Sequence, residues 1–372
     1  MTHVRSIHIL RVLVISAIFS SLANNATAQE ICGLASVQYN LMHSDGFEGT
    51  PSSSVAAVAG VATDKSDAEP KSKLATQAGA LFELGKPMGY APKIIQGVAP
   101  TVAITNPGNA VTTPGRRFEI RGTFTGPINT GVTVNGSPAR TYGTQWVATP
   151  IRPPAGPFTI DVIAKTFDGL TAMASRNITV GDTAPAIELI AKQPGNIAPA
   201  KIGFTLRFGG VVSGNVQIDF NGDSISDYDG PLEALPNSYT YPTAGFYIVQ
   251  VTATVDSILS TAQAIVVIAD VIVQRERACA VYGALRNALA ANDLEASVHV
   301  FTTQQQEALR PFFTALGSNR AVFATRLGTI ANGAIGMDGA KLRVLRLEAG
   351  VPVLYPLEVG MGEDGVWRLV SF

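Results

Sequence analysis

Cysteine is nearly missing from this chain: Cys32 and Cys279 are the only two in 372 residues. That scarcity excludes the disulfide framework of small secreted domains, so hydrophobic cores must hold the fold. A bridge between the two would tie a terminus to a distant module, and two unpaired thiols are expected, with Cys279 packed beside a helix. Histidine is as sparse, at four residues. With no histidine or cysteine cluster, zinc is poorly supported. Neither charge sign dominates, since 27 basic residues face 28 acidic ones. There is no basic stripe to neutralise phosphates, which argues against nucleic-acid binding. No run of about 18 apolar residues occurs, so no membrane-spanning helix is read. Gly-x-Ser-x-Gly, His-Glu-x-x-His, a phosphate-binding glycine loop and Cys-x-x-Cys are likewise absent, and with them the commonest hydrolase, metalloprotease, nucleotide and redox sites.

What is present begins with an export signal. Arg5 and Arg11, an apolar run over 12–23 and the small-residue site Ala26-Thr27-Ala28 read as a signal peptide over 1–28, with the exported chain starting near Gln29. The apolar run is short for a bilayer, which places the rival reading, an uncleaved N-terminal anchor, second. Gln29-Glu30-Ile31 stands before Cys32 where a lipoprotein would carry small residues, so no lipid anchor is expected. Without the leader, 25 basic residues oppose 28 acidic ones, a net charge of −3. Residues 29–98 are rich in Ala, Ser, Lys, Asp, Gly and Pro and hold no sustained period, which predicts a flexible linker or stalk, with a brief helix at 81–84. Met42-His43-Ser44-Asp45-Gly46-Phe47-Glu48 resembles a short segment found after the leader in some bacterial secreted proteins. The remaining length predicts two or three domains.

Over 99–181 the signals are short strands at regular spacing. Val102 and Ile104, then Phe118, Ile120 and Gly122, alternate, as do Val132 and Val134 ahead of Asn135-Gly136. An Asn-Gly pair favours a tight hairpin because both central residues must accept positive φ. Ile160, Val162 and Ala164 share one face before Asp168-Gly169 turns the chain into 172–180. No helical period intervenes, and a β-sandwich is predicted. Pro100-Thr101-Val102-Ala103-Ile104-Thr105-Asn106-Pro107, with Val132-Thr133-Val134-Asn135-Gly136, resembles a bacterial Ig-like domain.

Over 185–268, Tyr247, Val249, Val251 and Ala253 oppose Phe246, Ile248, Gln250 and Thr252, so one face enters a core. Asp219-Phe220-Asn221-Gly222-Asp223-Ser224-Ile225-Ser226-Asp227, followed by Tyr239-Thr240-Tyr241-Pro242-Thr243-Ala244-Gly245-Phe246-Tyr247, resembles the core of a PKD domain, an extracellular Ig-like sandwich. The acidic residue that usually follows the last valine stands at Asp256.

From 270 to 372 the pattern changes to helices and then strands. Ala278, Val281, Tyr282, Leu285 and Leu289 make a one-sided apolar stripe. Further helices are predicted over 294–301 and 304–316, and strands over 340–347, 351–359 and 366–372. That order argues for an α+β domain. Asp364-Gly365-Val366-Trp367-Arg368-Leu369-Val370-Ser371-Phe372, with the opening helix, resembles NTF2-like cone folds. The expected fold is therefore mainly β, two tandem sandwiches followed by a smaller cone-like α+β domain.

Two chemistries can be tested against this frame. Asp219, Asn221, Asp223 and Asp227 stand at loop positions one, three, five and nine, with Ile225 able to offer a carbonyl, and oxygen ligands so spaced suit Ca²⁺. The bidentate glutamate at position twelve is missing, since Gly230 stands there beside Asp229. The simpler reading is that these side chains cap their own turn, and the motif serves best as a fold marker. The cone resemblance implies an enzymatic alternative, because NTF2-like isomerases and dehydratases place acids and bases in an apolar cavity. Tyr282, His299, Arg326, Arg343, Tyr355 and Trp367 are the candidates. No carboxylate is fixed near His299 in sequence, Tyr282 belongs to the apolar stripe and Trp367 alternates into the sheet, so no catalytic residue and no cofactor is assigned, with weak calcium binding at the acidic turn as the minority reading. The expected function is an exported, non-catalytic protein of the periplasm, cell surface or medium. Its sandwiches would act as spacers or adhesive modules, and its last domain would bind a protein, glycan or small ligand. A small isomerase or dehydratase displayed on β modules is the alternative.

Overall fold

A computed structural model describes residues 40–41, 97–148 and 152–371. The signal peptide at 1–28, nearly all of the 29–98 linker and Cys32 lie outside the described residues. The chain is mainly β. After a two-residue strand, β1 (Asn40–Leu41), the first sandwich is built from β2 (Thr101–Asn106), β3 (Thr112–Thr113), β4 (Arg121–Thr125), β5 (Gly131–Val134), β6 (Ser137–Pro138), β7 (Arg140–Tyr142), β8 (Gln145–Val147), β9 (Gly156–Lys165) and β10 (Thr171–Val180). One sheet has the order β2-β4-β8-β7 and the other β3-β10-β9-β5-β6. Strand β2 pairs antiparallel with β4, whereas β3, a few residues on, pairs parallel with β10 in the opposite sheet. A first strand shared between both layers of a Greek-key sandwich is an Ig-like arrangement. Ile160, Val162 and Ala164 are fully buried between the layers, with Trp146 and Val132. Asn135 and Gly136 both have positive φ, 48° and 79°, and close the β5–β6 hairpin as their side chains allow. Phe118 and Ile120 precede the strand, which starts at Arg121.

A second sandwich repeats the plan. It comprises β11 (Ile187–Ala191), β12 (Gly195–Ile197), β13 (Ala200–Phe208), β14 (Val212–Asp219), β15 (Tyr228–Gly230), β16 (Ser238–Tyr241), β17 (Gly245–Val255) and β18 (Ile258–Ala269). Its sheets run β11-β13-β16 and β12-β18-β17-β14-β15, with β12 parallel to β18. Val249, Val251 and Ala253 point inward to Ile202, Phe204, Val216 and Ile218. Strand β18 is exposed or half-buried on alternate residues until Ile265, and from there to Ala269 every residue is buried. Alternation stops because Ile265 and Val267 on the outer face lie under Val147 and Tyr142 of the first sandwich.

Four helices follow: α1 (Val271–Ala290), α2 (Leu294–His299), α3 (Thr303–Leu316) and α4 (Arg320–Arg326). The Asp270 carboxylate accepts the Ile272 N–H at 2.7 Å and caps α1; Asp293 caps α2 through the Ala296 N–H at 3.0 Å. Capping of this kind satisfies N–H groups that have no partner within the helix. Strands β19 (Thr329–Ile335), β20 (Gly339–Glu348), β21 (Val351–Met361) and β22 (Trp367–Ser371) form an antiparallel meander. The stripe of Ala278, Val281, Tyr282, Leu285 and Leu289 packs on it together with Phe301, Phe313 and Trp367. Strand β1 adds to the outer edge, pairing parallel with β19 as Asn40↔Ala334 and Leu41↔Ile335.

One expectation is corrected. Cys279 is disulfide-bonded where a free thiol was expected.

The three parts interlock. Asn129, 2% exposed, donates from Nδ2 to the Trp367 carbonyl at 2.9 Å and accepts the Trp367 N–H on Oδ1 at 2.7 Å. Lys165 and Arg368 both reach Asp364, at 3.1 and 2.6 Å. Burial alone would raise the Asp364 pKa, but these two cations hold it at about 2. Gly131 sits so close to this turn that a Cβ would fall 2.4 Å from the Asp364 carbonyl oxygen, which explains why all four residues of β5 are buried. Between the first sandwich and the other two parts, Arg140 passes Gly195 to donate to Met337 Sδ at 3.5 Å.

Candidate functional site

The turn between β14 and β15 brings the four predicted oxygen-bearing residues together. Asp219 ends β14, and its Oδ1 accepts the N–H groups of Asn221 at 3.1 Å and Gly222 at 2.6 Å, while Oδ2 accepts that of Ser224 at 2.8 Å. Asn221 Oδ1 accepts the Asp223 N–H, and Asp223 Oδ1 accepts the Ile225 N–H, each at 2.8 Å. Asp227 Oδ2 accepts from the Phe220 N–H at 2.7 Å. Gly222 has φ +80°, which side-chain-bearing residues rarely adopt. The carboxylates therefore organise the turn backbone, as short Asx side chains do. Among the described residues, no group of three or more His, Cys, Asp or Glu side chains could hold a metal ion.

An aromatic row fixes the turn from beneath. Phe204, Phe220, Tyr239, Tyr241 and Tyr247 follow one another with ring centroids 4.6–5.2 Å apart, spacings at which aromatic pairs add to area burial. Tyr241, fully buried, donates to the Phe220 carbonyl at 2.9 Å. Burial pushes its phenol far above the ordinary value, with neighbouring Tyr239 and Asp227 adding to the rise, so it stays a donor.

Beside the turn, the outer face of β14, β17 and β18 forms a polar groove of about 360 Å³, lined by Gln217, Gln250, Gln263, Thr252 and Asp219 among others. Gln263 donates to Gln250 across the strands at 2.9 Å. Gln217 and Asn215 both donate to Asp229, at 2.9 and 2.8 Å, and these bonds hold its carboxyl below the ordinary range. Each glutamine keeps unused donors or acceptors after these bonds. Sequence parity puts Gln250 opposite the core-facing Val249 and Val251, but nothing local shows that Gln263 pairs with it, and so the groove was missed.

The acid–base candidates of the last part are taken up by separate partners where these are shown. Tyr282 OH donates to the Gly328 carbonyl at 2.7 Å inside the core. The His299 ring nitrogen Nε2 meets the Phe167 carbonyl at 2.8 Å, against the first sandwich. Trp367 is 1% exposed in the core. Tyr355 donates to Glu348 beneath the Arg346 guanidinium, Arg343 lies on β20 opposite Pro356, and Arg326 closes α4.

No protein-family model matches the chain. No curated protein matches it either. Among solved structures it is similar to fibronectin(III)-like modules of Clostridium thermocellum CbhA, at 17% identity over 45% of this chain and 94% of that one, TM-score 0.19. It is also similar to the N-terminal Ig1-2 module of the Drosophila receptor protein tyrosine phosphatase DLAR, at 12% identity over 46% and 99% of the chains, TM-score 0.20. A third is Bacteroides ovatus SGBP-B in complex with a mixed-linkage heptasaccharide, at 16% identity over 46% and 48%, TM-score 0.18. Superpositions this loose carry no functional argument, and the Ig-like assignment stands on the strand order above. Among the described residues, no helix is long and apolar enough to cross a membrane.

Proposed function

We propose that this is an exported, non-catalytic protein of the bacterial envelope, in which an Ig-like and a PKD-like sandwich and an NTF2-like cone act together as a rigid spacer and binding body. The observation that carries the reading is the buried Asn129–Trp367 pair, which closes on two backbone groups of β22 at 2.7 and 2.9 Å. A pair of hydrogen bonds withdrawn from water fixes one part against another more firmly than exposed contacts do. The disulfide at Cys279 supports export, since such bonds persist in oxidising compartments. Phe301, Phe313, Trp367, Leu342 and Leu357 fill the space between helices and meander, which supports a structural or docking role for the cone over an enzymatic one. A protein or glycan partner would meet the polar groove or the neighbouring loops. The Asp219, Asn221, Asp223 and Asp227 oxygens serve first as caps of the turn backbone, and calcium at these residues is the minority reading.

Small-angle scattering of the mature protein tests the rigid body. The expected curve is that of one particle with fixed spacing between its parts; a curve requiring freely jointed parts would defeat the proposal. N-terminal sequencing of protein recovered from the envelope or medium tests export, with a start near Gln29 expected.

A further inference from the structure

The seam between the two sandwiches holds three arginines around one carboxylate. Arg117 and Arg152 come from the first sandwich, Arg207 and Glu188 from the second. Arg117 Nε meets Glu188 Oε1 at 2.6 Å, a full charge-assisted bond. The other two are long, Arg152 to the same oxygen at 3.4 Å and Arg207 to Oε2 at 3.3 Å. Glu188 is the acid all three reach, so the cluster carries two uncompensated positive charges. The arginines feel one another: burial lowers the Arg117 pKa first, Glu188 opposes that, and the Arg152 and Arg207 charges lower it further. Exposed guanidinium groups are free to swing apart, and here they converge.

We infer that this seam binds a phosphate-class dianion, with the Arg152 and Arg207 guanidinium groups as its main donors. The charge count selects the valence, because two excess positive charges are neutralised by one doubly charged oxyanion. The donor geometry selects the class, since each planar guanidinium presents paired N–H groups that match phosphoryl oxygens. Access is available: the Arg152 and Arg207 side chains are 61% and 66% exposed, while Glu188 at 17% stays behind them. A cationic or apolar ligand would add repulsion or strand the donors. The site exists only while the two sandwiches are docked, and it is separate from the polar groove and the acidic turn.

The test uses the full mature chain. Its melting temperature is recorded in inorganic phosphate, in glucose 6-phosphate and in sodium chloride at matched ionic strength, for the wild type and for Arg152→Gln/Arg207→Gln. Ten millimolar inorganic phosphate or sugar phosphate is expected to raise the wild-type melting temperature by about 2–4 °C over chloride, by mass action on the folded state. The double variant should lose that increment while melting within about 2 °C of wild type in chloride, because both side chains are exposed. A rise with the sugar phosphate alone would assign a phosphorylated organic ligand, and a rise with both would assign the phosphoryl group itself. Equal melting in phosphate and chloride, or an increment that survives in the double variant, would overturn the inference.

Discussion

Asn129 joins parts of the chain 238 residues apart through its side-chain amide alone. Asn129→Ala leaves the Trp367 N–H and carbonyl buried without partners, and an unmet buried group costs about 1–3 kcal/mol. The expected loss is therefore about 2–4 kcal/mol in urea denaturation. Gly131→Ala is expected to be as damaging for a different reason, since the obstacle its Cβ meets is backbone that cannot rotate away. Much of the core at this scale was readable from sequence: period two along 160–164 selects the three residues that end fully buried. Asn129 was not, because Pro-Ile-Asn-Thr reads as an ordinary turn, and only the docked third part gives its amide a partner. The same applies to Cys279, because a cysteine in a helical stripe does not announce whether its thiol is bonded.

Among the elements, the acidic turn is the one whose side chains decide its backbone. Asp219→Ala removes the acceptor for three N–H groups, and a loss of about 2 kcal/mol is expected, in keeping with caps that satisfy orphan donors. Calcium gives a separate outcome. If the turn binds it, millimolar Ca²⁺ raises the melting temperature of the protein through mass action, and Asp223→Ala abolishes the rise; an equal rise in that variant would exclude the turn. The helices of the last part were legible because their apolar stripe has a clear period and Gly317 stops α3. Strand β19 and helix α4 were not. Thr329-Ile330-Ala331-Asn332-Gly333-Ala334-Ile335 holds Ala, Asn and Gly, residues depleted in strands, and owes its conformation to pairing with β20. Strands β5 and β18 defeat the alternation rule for a third reason, because each lends its outer face to another part of the molecule.

For the whole molecule, the acid lability of the junction is the sharpest consequence. Asp364 is held at about 2 by Arg368 and Lys165 against burial, below the ordinary aspartate value of about 3.9. A carboxylate whose pKa is depressed on folding stabilises the folded state above its unfolded pKa, and that contribution fades as pH falls through the folded one. The window is thus from about pH 4 down to about 2. A depression to about 2 corresponds to about 2.5 kcal/mol, which the 25% exposure of the side chain reduces to roughly 1–2 kcal/mol. Because Lys165 belongs to the first sandwich and Asp364 to the last turn, the loss should fall on the contact between them before it reaches either core. Urea denaturation of wild type and Asp364→Asn at pH 5 and pH 2.5 isolates the effect, since every other carboxylate titrates in both. The variant should be less stable at pH 5, where Arg368 loses its partner, and the gap should narrow at pH 2.5. A gap that stays constant across the window would mean that the junction does not depend on the Asp364 charge.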